Sequence, residues 1–272
     1  MIFKGVKSVQ KIKRDGHIHT PFCPHGTKDL LEDYVKEGLR LDLEEISFTE
    51  HFPLPKSICD PIFQAECALC EEDIPKYFEA VELLQEKYKG KIKINKGFEV
   101  DYIEGREDEI CTLLNQYGPE IEDSILSVHF VYYEGEYYAI DYGPEVERLI
   151  GKVESIERVY DLYFKTVIKS IEADLGPYKP KRIGHPSLVR IFQKKWPVEY
   201  DDHGLYKELV TKIKAAGYEI DFNVAGLRKE DCGETYPSGV LLEIIKACKI
   251  PYVMGSDSHS VKHMALLKQP EK

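Results

Sequence analysis

Residues 11–19 of the chain read KIKRDGHIH, a short run that we predict to be a β-strand and that ends in His17-Ile18-His19. In a strand, residues two positions apart point to the same side. His17 and His19 are therefore predicted to face one point together, as are Asp257 and His259 at the end of the last strand candidate. Working outward from this run, six more strand candidates follow along the chain, at residues 43–51, 92–99, 124–130, 182–185, 218–223 and 251–257.

Amphipathic runs separate these strands. Residues 28–39, for example, carry apolar residues at spacings of three and four, which is the helical signature. Alternation of strands and helices predicts an α/β fold with a parallel sheet. Seven strands fit a barrel with one strand fewer than the usual eight, and an open doubly wound sheet is the alternative. The other predicted helices span 74–88, 106–117, 153–174, 204–216 and 239–248.

One segment breaks this alternation. Residues 130–141 read FVYYEGEYYAID and predict a β-hairpin that turns at Glu134-Gly135, inserted after strand four. The chain shows no repeat, low-complexity stretch or linker, so its 272 residues are consistent with one barrel domain.

Composition narrows the possible partners and the compartment. A net charge of −11 disfavours a nucleic-acid-binding surface but is compatible with a small phosphorylated substrate. No apolar run is long enough for a membrane helix, and no secretory signal is evident. Seven scattered cysteines, an odd number, disfavour a disulfide framework and favour the cytoplasm. We interpret the Cys67-x-x-Cys70 pair as incidental thiols.

Histidines and acids concentrate where the predicted strands end. The carboxyl ends of barrel strands converge on one rim, where active sites lie. A single histidine at such a place is usually a hydrogen-bonded structural residue, and Asp257 alone could cap a helix. So many imidazoles and carboxylates in one place would be unfavourable without metal, however. The candidate ligands are His17, His19, His25, His51, Glu99, His129, His185, Asp257 and His259.

The ligand types narrow the choice of ion. Mixed imidazole and carboxylate suits zinc, iron or manganese better than magnesium or calcium. Nine candidates are too many for one tetrahedral zinc and suit two or three divalent ions. His203 and His263 are interpreted as exposed residues at a helix start or in a loop. Cys23 is left out of the ligand set as an incidental thiol.

The ordered ligand pattern resembles that of the PHP (polymerase and histidinol phosphatase) family. That pattern runs from HxH through a nearby histidine, a histidine, a glutamate and two separated histidines to DxH, and all nine positions match. The resemblance implies a distorted (β/α)7 barrel over residues 12–272, with residues 1–11 as a short extension. It also implies a trinuclear site, in which the first ion is bound by His17, His19, Glu99 and Asp257, the second by Glu99, His129 and His185, and the third by His25, His51 and His259.

Several stretches resemble the members of this family that hydrolyse L-histidinol phosphate in histidine biosynthesis. They are DGHIHTPFCPHG, SFTEHFP, GFEVDY, GHPSLVR and FNVAGLRK followed by YPS. The last offers Asn223 and Arg228 toward the rim, and Arg190 follows His185 by five residues. Arginine suits bidentate phosphate binding, and a surface salt bridge is the alternative for Arg190 and for Arg228.

The expected reaction is phosphomonoester hydrolysis. We expect a hydroxide that bridges two ions to attack phosphorus, while Arg190 and Arg228 neutralise the phosphoryl oxygens. The candidate catalytic residues are Asp257, His259 and Arg228. Asp257 or a metal-bound water would protonate the leaving alkoxide. Glu45, Asp101 and Tyr236 are candidates for recognising the ammonium and imidazole of the substrate.

Two alternatives stay open at the level of sequence. One is a PHP-family phosphoesterase that acts on nucleotides, phosphotyrosine or DNA ends. The other is a metal-binding domain without turnover, although a purely structural site would be closed by protein ligands.

Overall fold

A parallel sheet of seven strands forms the centre of the computed structural model, which describes residues 12–58, 67–200 and 202–268. The predicted extension, residues 1–11, lies outside these ranges. The strands in chain order are β1 (Arg14–Ile18), β2 (Glu45–His51), β3 (Lys93–Asp101), β4 (Asp123–Ser127), β5 (Phe130–Tyr133), β6 (Glu136–Ala139), β7 (Arg182–Ile183), β8 (Glu219–Asn223) and β9 (Tyr252–Gly255).

The sheet runs in the order β1-β2-β3-β4-β7-β8-β9, with parallel pairing throughout. Its two edges meet. Asp257 N donates to His17 O at 2.8 Å, and His19 N donates to Ser258 O at 3.0 Å, just beyond the end of β9. These bonds nearly close the sheet into a barrel. The predicted seven-stranded barrel is therefore confirmed, and the open doubly wound sheet is wrong.

Helices connect the parallel strands and cover the outside of the barrel. Apolar residues three and four positions apart face the sheet, as with Val159, Tyr163 and Val167 in the longest helix. The helices are α1 (Leu31–Arg40), α2 (Ile74–Lys87), α3 (Glu107–Tyr117), α4 (Gly143–Val153), α5 (Ile156–Glu172), α6 (His203–Ala215) and α7 (Gly239–Cys248).

The helix predicted at 153–174 is in fact preceded by a second one. Helix α4 ends at Val153 and is followed by Glu154, whose φ of 62° is left-handed. Ser155 then caps α5 by accepting a hydrogen bond from Arg158 N. Helix α4 was not predicted, because Gly143-Pro144 is typical of a turn. Proline is also favourable in the first turn of a helix, where its missing N–H costs nothing.

A hairpin follows β4, where the sequence pattern breaks. Strands β5 and β6 pair antiparallel, from Phe130 opposite Ala139 to Tyr133 opposite Glu136. Glu134 and Gly135 form the turn with φ of 47° and 90°, as a tight two-residue turn requires. Within the described ranges, no helix is long and apolar enough to span a membrane.

Candidate metal centre

Glu99, near the end of β3, lies at the middle of the candidate site and is 1% exposed. Its Oε2 lies 3.3 Å from His17 Nε2, 3.4 Å from His19 Nε2 and 3.3 Å from His51 Nδ1. These residues come from β1, β2 and the turn after β1. The ends of β1 and β2 thus bring three imidazole nitrogens to one carboxylate oxygen at the end of β3.

The other oxygen of Glu99 faces the strands on its opposite side. Oε1 lies 2.8 Å from His185 Nε2 and 3.8 Å from His129 Nε2, and it accepts a hydrogen bond from Ser127 Oγ at 2.6 Å. Both histidines lie two residues beyond the ends of their strands, β4 and β7, rather than within the strands. His185 has a left-handed φ of 22°, a strained conformation that is typical of functional sites.

The ring nitrogens of His17 and His19 approach each other at 3.2 Å between their Nε2 atoms. Outer carboxylates hold the opposite ring atoms: Asp221 Oδ2 is 2.8 Å from His17 Nδ1, and Glu50 Oε1 is 3.3 Å from His19 Nδ1. If each Nδ1–H donates to its carboxylate, the Nε2 lone pairs face one another. Such an arrangement fits a cation between them, because a carboxylate behind each imidazole is typical of metal-binding histidines.

Asp257 and His259 join the site by a route that differs from the predicted one. We expected both to lie on a strand and to share its face, but β9 ends at Gly255 and Asp257 has a φ of 50°. The turn itself brings Asp257 Oδ1 to 3.5 Å from His19 Nε2. The His259 ring stacks on that of His19 at 4.1 Å between centroids.

The described donors form three groups, in each of which the ligand atoms lie within 4.8 Å of one another. One contains Glu99, His129 and His185, the set implied for the second ion. Another contains His17, His19 and Asp257, which lacks only Glu99 from the implied first set. The last contains His19, Cys23, His51 and His259.

This last group differs from the expected third set. Cys23, which the sequence analysis set aside, is 0% exposed and lies among the donor nitrogens. His25 is exposed, and its ring centroid lies 5.7 Å from that of His51. The thiol of Cys23 therefore lies where the imidazole of His25 was expected, and His25 lies on the outside of the turn.

Burial and neighbouring charges shift the pKa values of the site residues in opposite directions. Burial lowers the pKa of His17, but the carboxylates of Glu99, Asp221 and Asp257 outweigh it and raise this pKa to about 10. Burial raises the pKa of Glu99, but His17 and His129 outweigh it and hold this pKa well below its usual range. Glu99 is therefore ionised, as a carboxylate ligand must be.

His51 and His259 show the opposite effect. For both imidazoles, burial and then the charge on His19 hold the pKa well below its usual range. Both rings are therefore neutral, and each keeps a nitrogen lone pair for a metal ion.

Three carboxylates that orient the histidines were not predicted in this role. Glu50 is held by Thr20 N at 2.9 Å and by Thr20 Oγ, and Asp101 Oδ1 lies 2.8 Å from His129 Nδ1. The signal for the third, Asp221, was available in YEIDFN, where an acid interrupts an apolar strand two residues before Asn223. Residues two apart share a face, so Asp221 points inward with Asn223.

The predicted phosphate-binding residues have protein partners in this structure. Arg228 donates to the carbonyl oxygens of Ser256, at 2.8 Å, and Asp257. Asn223 Nδ2 donates to Asp257 Oδ2 at 3.2 Å. Arg190 forms an ion pair with Glu234, which matches the salt-bridge alternative.

Three other interpretations need correction or refinement. Glu45 begins β2 at the amino end of the barrel and pairs with Arg14 and Lys93, both at 3.2 Å, so its predicted contact with substrate is wrong. Tyr236 is buried at 1% exposure. His203 is exposed at the start of α6, as interpreted, whereas His263 is partly buried.

The comparisons with known proteins agree with this geometry. The sequence profile of the PHP domain matches residues 15–225. The chain is 45% identical over 250 residues to a protein of Bacillus subtilis named histidinol-phosphatase, covering 91% of this chain and 93% of that protein. This chain belongs to the PHP family.

Two solved structures share the fold. A Listeria monocytogenes protein designated hisK superposes with a TM-score of 0.85 at 37% identity, over 93% of this chain and 97% of that one. A histidinol phosphate phosphatase of Lactococcus lactis, in complex with zinc, L-histidinol and phosphate, gives a TM-score of 0.70 at 21% identity, over 94% and 91% of the two chains. At that identity the second likeness shows the fold alone.

Proposed function

We propose that this chain is a metal-dependent phosphomonoesterase that hydrolyses L-histidinol phosphate to L-histidinol and phosphate in histidine biosynthesis. The observation that carries the proposal is the convergence of histidine nitrogens and carboxylates on Glu99 at the carboxyl end of the barrel. The substrate follows from the 45% identity to the Bacillus histidinol-phosphatase over most of both chains.

The proposed cofactor is a set of two or three divalent ions, zinc, iron or manganese. The donor set fits such ions, because deprotonated carboxylates and neutral imidazoles are their usual ligands. When bound, they would lower the pKa of water and offset the charge of the phosphoryl oxygens. The proposed ligands are His17, His19, Glu99, His129, His185, Asp257, His51 and His259, with His25 or Cys23 from the turn after β1.

Residues of the chain prepare this site in two ways. Glu50 and Asp221 fix the ring orientations of His19 and His17. Asn223 and Arg228 hold Asp257, by its carboxylate and its backbone oxygen respectively. Preorganised groups of this kind reduce the reorganisation that the reaction would otherwise require.

The role of Asp257 follows from its surroundings. Burial raises its pKa, but His17 and His19 outweigh burial and hold this pKa well below the usual range. An ionised carboxylate is a good ligand and a poor proton donor. This supports metal binding by Asp257 over protonation of the leaving alkoxide.

We propose that Arg228 binds the phosphate and that Arg190 does so only after leaving Glu234. Arg228 is near enough to Asp257 to lower the pKa of that carboxyl, so its charge acts at the rim. Arg190 already has Glu234 and Gln193 as partners. A phosphate must compete with both.

The proposed setting is the cytoplasm, with a small phosphorylated metabolite as the partner and no nucleic acid or membrane. Cys23, Cys70, Cys111, Cys232 and Cys248 are free thiols, which supports a reducing compartment. The net charge of −11 supports the absence of a nucleic-acid partner.

Steady-state kinetics across a panel of phosphates tests the proposed substrate. L-Histidinol phosphate should have the highest kcat/KM among aryl phosphate, phosphoserine, phosphotyrosine and nucleoside monophosphates. A site that pairs the ammonium and imidazole groups rejects phosphates that lack them, because its polar groups are then left unpaired. A preference for a nucleotide or for phosphotyrosine would refute the substrate and leave the phosphatase activity standing.

A further inference from the structure

His185 differs from other candidate ligands in what lies behind its ring. The imidazoles of His17, His19 and His129 each have a carboxylate at Nδ1. The Nδ1 atom of His185 is buried, and within the described ranges no hydrogen-bond partner reaches it. Its Nε2 atom nevertheless lies 2.8 Å from Glu99 Oε1. The direction of this ring is therefore fixed by something other than a carboxylate behind it.

The backbone of His185 is strained. Its φ of 22° lies in the left-handed region, which is uncommon for residues other than glycine. A residue keeps such a conformation only where the surrounding structure holds it. On the amide side, His185 N makes one long hydrogen bond, to Asp221 Oδ2 at 3.4 Å. The closer contacts are on the carbonyl side.

The hydroxyl of Tyr163 lies at the carbonyl group of His185. Tyr163 belongs to helix α5 and is completely buried. Its hydroxyl donates to His185 O at 3.1 Å and accepts from Leu188 N at 3.2 Å. Leu188 N also donates to His185 O at 2.9 Å. One hydroxyl from an outer helix thus closes the turn of residues 185–188 and holds the strained residue within it.

We propose that Tyr163 is a positioning residue, whose hydroxyl holds the backbone of His185 so that its imidazole faces the ion shared with Glu99 and His129. The hydroxyl has the same effect on His185 as an outer carboxylate has on the other histidines, but it acts on the main chain instead of the ring. Losing a group behind a ligand typically lowers metal affinity about 10–100-fold. The inference rests on the proposed function only in assuming that the centre binds metal.

Tyr77 supplies a matched control for a role in stability alone. It is also completely buried, on helix α2, and its hydroxyl lies 3.0 Å from Phe48 O and 2.9 Å from Gly97 O. Neither carbonyl group belongs to a candidate ligand. Replacing either tyrosine by phenylalanine removes one buried hydroxyl from the main chain and keeps the ring, so both variants should fold.

Competition with a chromophoric chelator for Zn²⁺ tests the inference on the folded proteins. In Tyr163→Phe, one of the bound ions should be held about 10–100-fold more weakly than in the unaltered protein. In Tyr77→Phe, every affinity should be unchanged. Urea unfolding, measured in parallel, shows how much stability each variant has lost.

Unchanged affinities in Tyr163→Phe, or an equal loss in Tyr77→Phe, overturn the inference. Hydrolysis of L-histidinol phosphate by the unaltered protein is measured separately. Hydrolysis together with affinities that do not respond to Tyr163→Phe refutes only this inference. A selective loss of affinity in Tyr163→Phe, in a protein that hydrolyses no phosphate, refutes only the proposed function.

Discussion

The two ends of the barrel bury charge in different ways. At the amino end, Asp123 accepts hydrogen bonds from Arg14 and Arg182, each at 2.6 Å, so each charge has a partner from the chain. At the carboxyl end, Glu99 faces five imidazoles. An imidazole offers positive charge only when protonated.

This difference indicates that the amino end of the barrel serves stability and the carboxyl end serves function. A buried carboxylate needs compensating positive charge, and guanidinium groups supply it permanently at the amino end. At the carboxyl end the imidazoles lose their protons when they act as ligands, so a bound metal ion would supply that compensation instead. At the amino ends of the strands, protein groups alone compensate the buried carboxylate charge. At the carboxyl ends, a bound metal ion would do so, as expected for the functional face of a barrel.

The largest effect is expected at the carboxyl end. Glu99→Ala removes the carboxylate that contacts both sides of the centre, so metal content and kcat should fall together. The loss should exceed the roughly 10–100-fold typical of a residue behind a ligand. Elemental analysis and initial rates measure both.

His203→Ala is the matched control for Glu99→Ala, because His203 is exposed at the start of α6, outside the candidate set. It should change neither metal content nor rate. If His203→Ala abolished turnover and Glu99→Ala retained it, the assignment of Glu99 to the metal centre would be wrong.

A substitution at the amino end of the barrel should lower the free energy of unfolding. Asp123→Asn leaves Arg14 and the 1%-exposed Arg182 without their shared carboxylate, and breaking a buried pair costs about 3–5 kcal/mol. Urea unfolding measures the loss, while the kcat of the folded enzyme should be unchanged. The exposed pair of Lys89 and Glu86 supplies a control, since Glu86→Gln should change the free energy of unfolding by less than about 1 kcal/mol. Loss of metal in Asp123→Asn would mean that the two ends are not independent.

A residue behind a ligand should give an intermediate effect. Asp221→Asn weakens the acceptor for His17 Nδ1, so metal affinity or activity should fall about 10–100-fold. Competition with a chromophoric chelator measures the affinity. Glu219→Gln, on the same strand but at its amino end, should leave affinity unchanged. Equal losses in both variants would indicate a general effect on β8 and count against the orienting role.

The smallest effect is expected for the arginine at the rim. Hydrogen bonds to charged groups contribute about 1.5–3 kcal/mol, but Arg228 must exchange its bonds to Ser256 O and Asp257 O for those to phosphate. Arg228→Ala should therefore lower kcat/KM only about tenfold, at the low end of that range, for every phosphate in a panel. Uniform loss is expected because the phosphate is the shared group. Loss confined to L-histidinol phosphate would instead assign Arg228 to the leaving group.

Some of this arrangement followed directly from the sequence pattern. The HxH spacing predicted that His17 and His19 face one point, and their Nε2 atoms lie 3.2 Å apart. Seven strand candidates predicted the barrel, because alternating strands and helices have few ways to pack. Glu99 was placed correctly near the end of its strand.

Other features depend on geometry that local patterns do not encode. Asp257 reaches His19 through a left-handed turn, not along a strand. The assignment of Glu45 to the substrate, by contrast, was avoidable, because Glu45 lies near the start of the strand candidate 43–51 and the rim lies at the carboxyl ends of the strands. Cys23 is buried and His25 exposed because of hydrogen bonds within a turn, and no residue pattern distinguishes them.

The most direct test of the whole account is the hydrolysis rate of L-histidinol phosphate during stepwise removal of metal from protein purified without chelators. We predict two or three transition-metal ions per chain at the outset and a rate that falls as they are removed. Addition of zinc, iron or manganese should restore the rate. Undiminished hydrolysis by protein that elemental analysis finds free of metal would contradict the account.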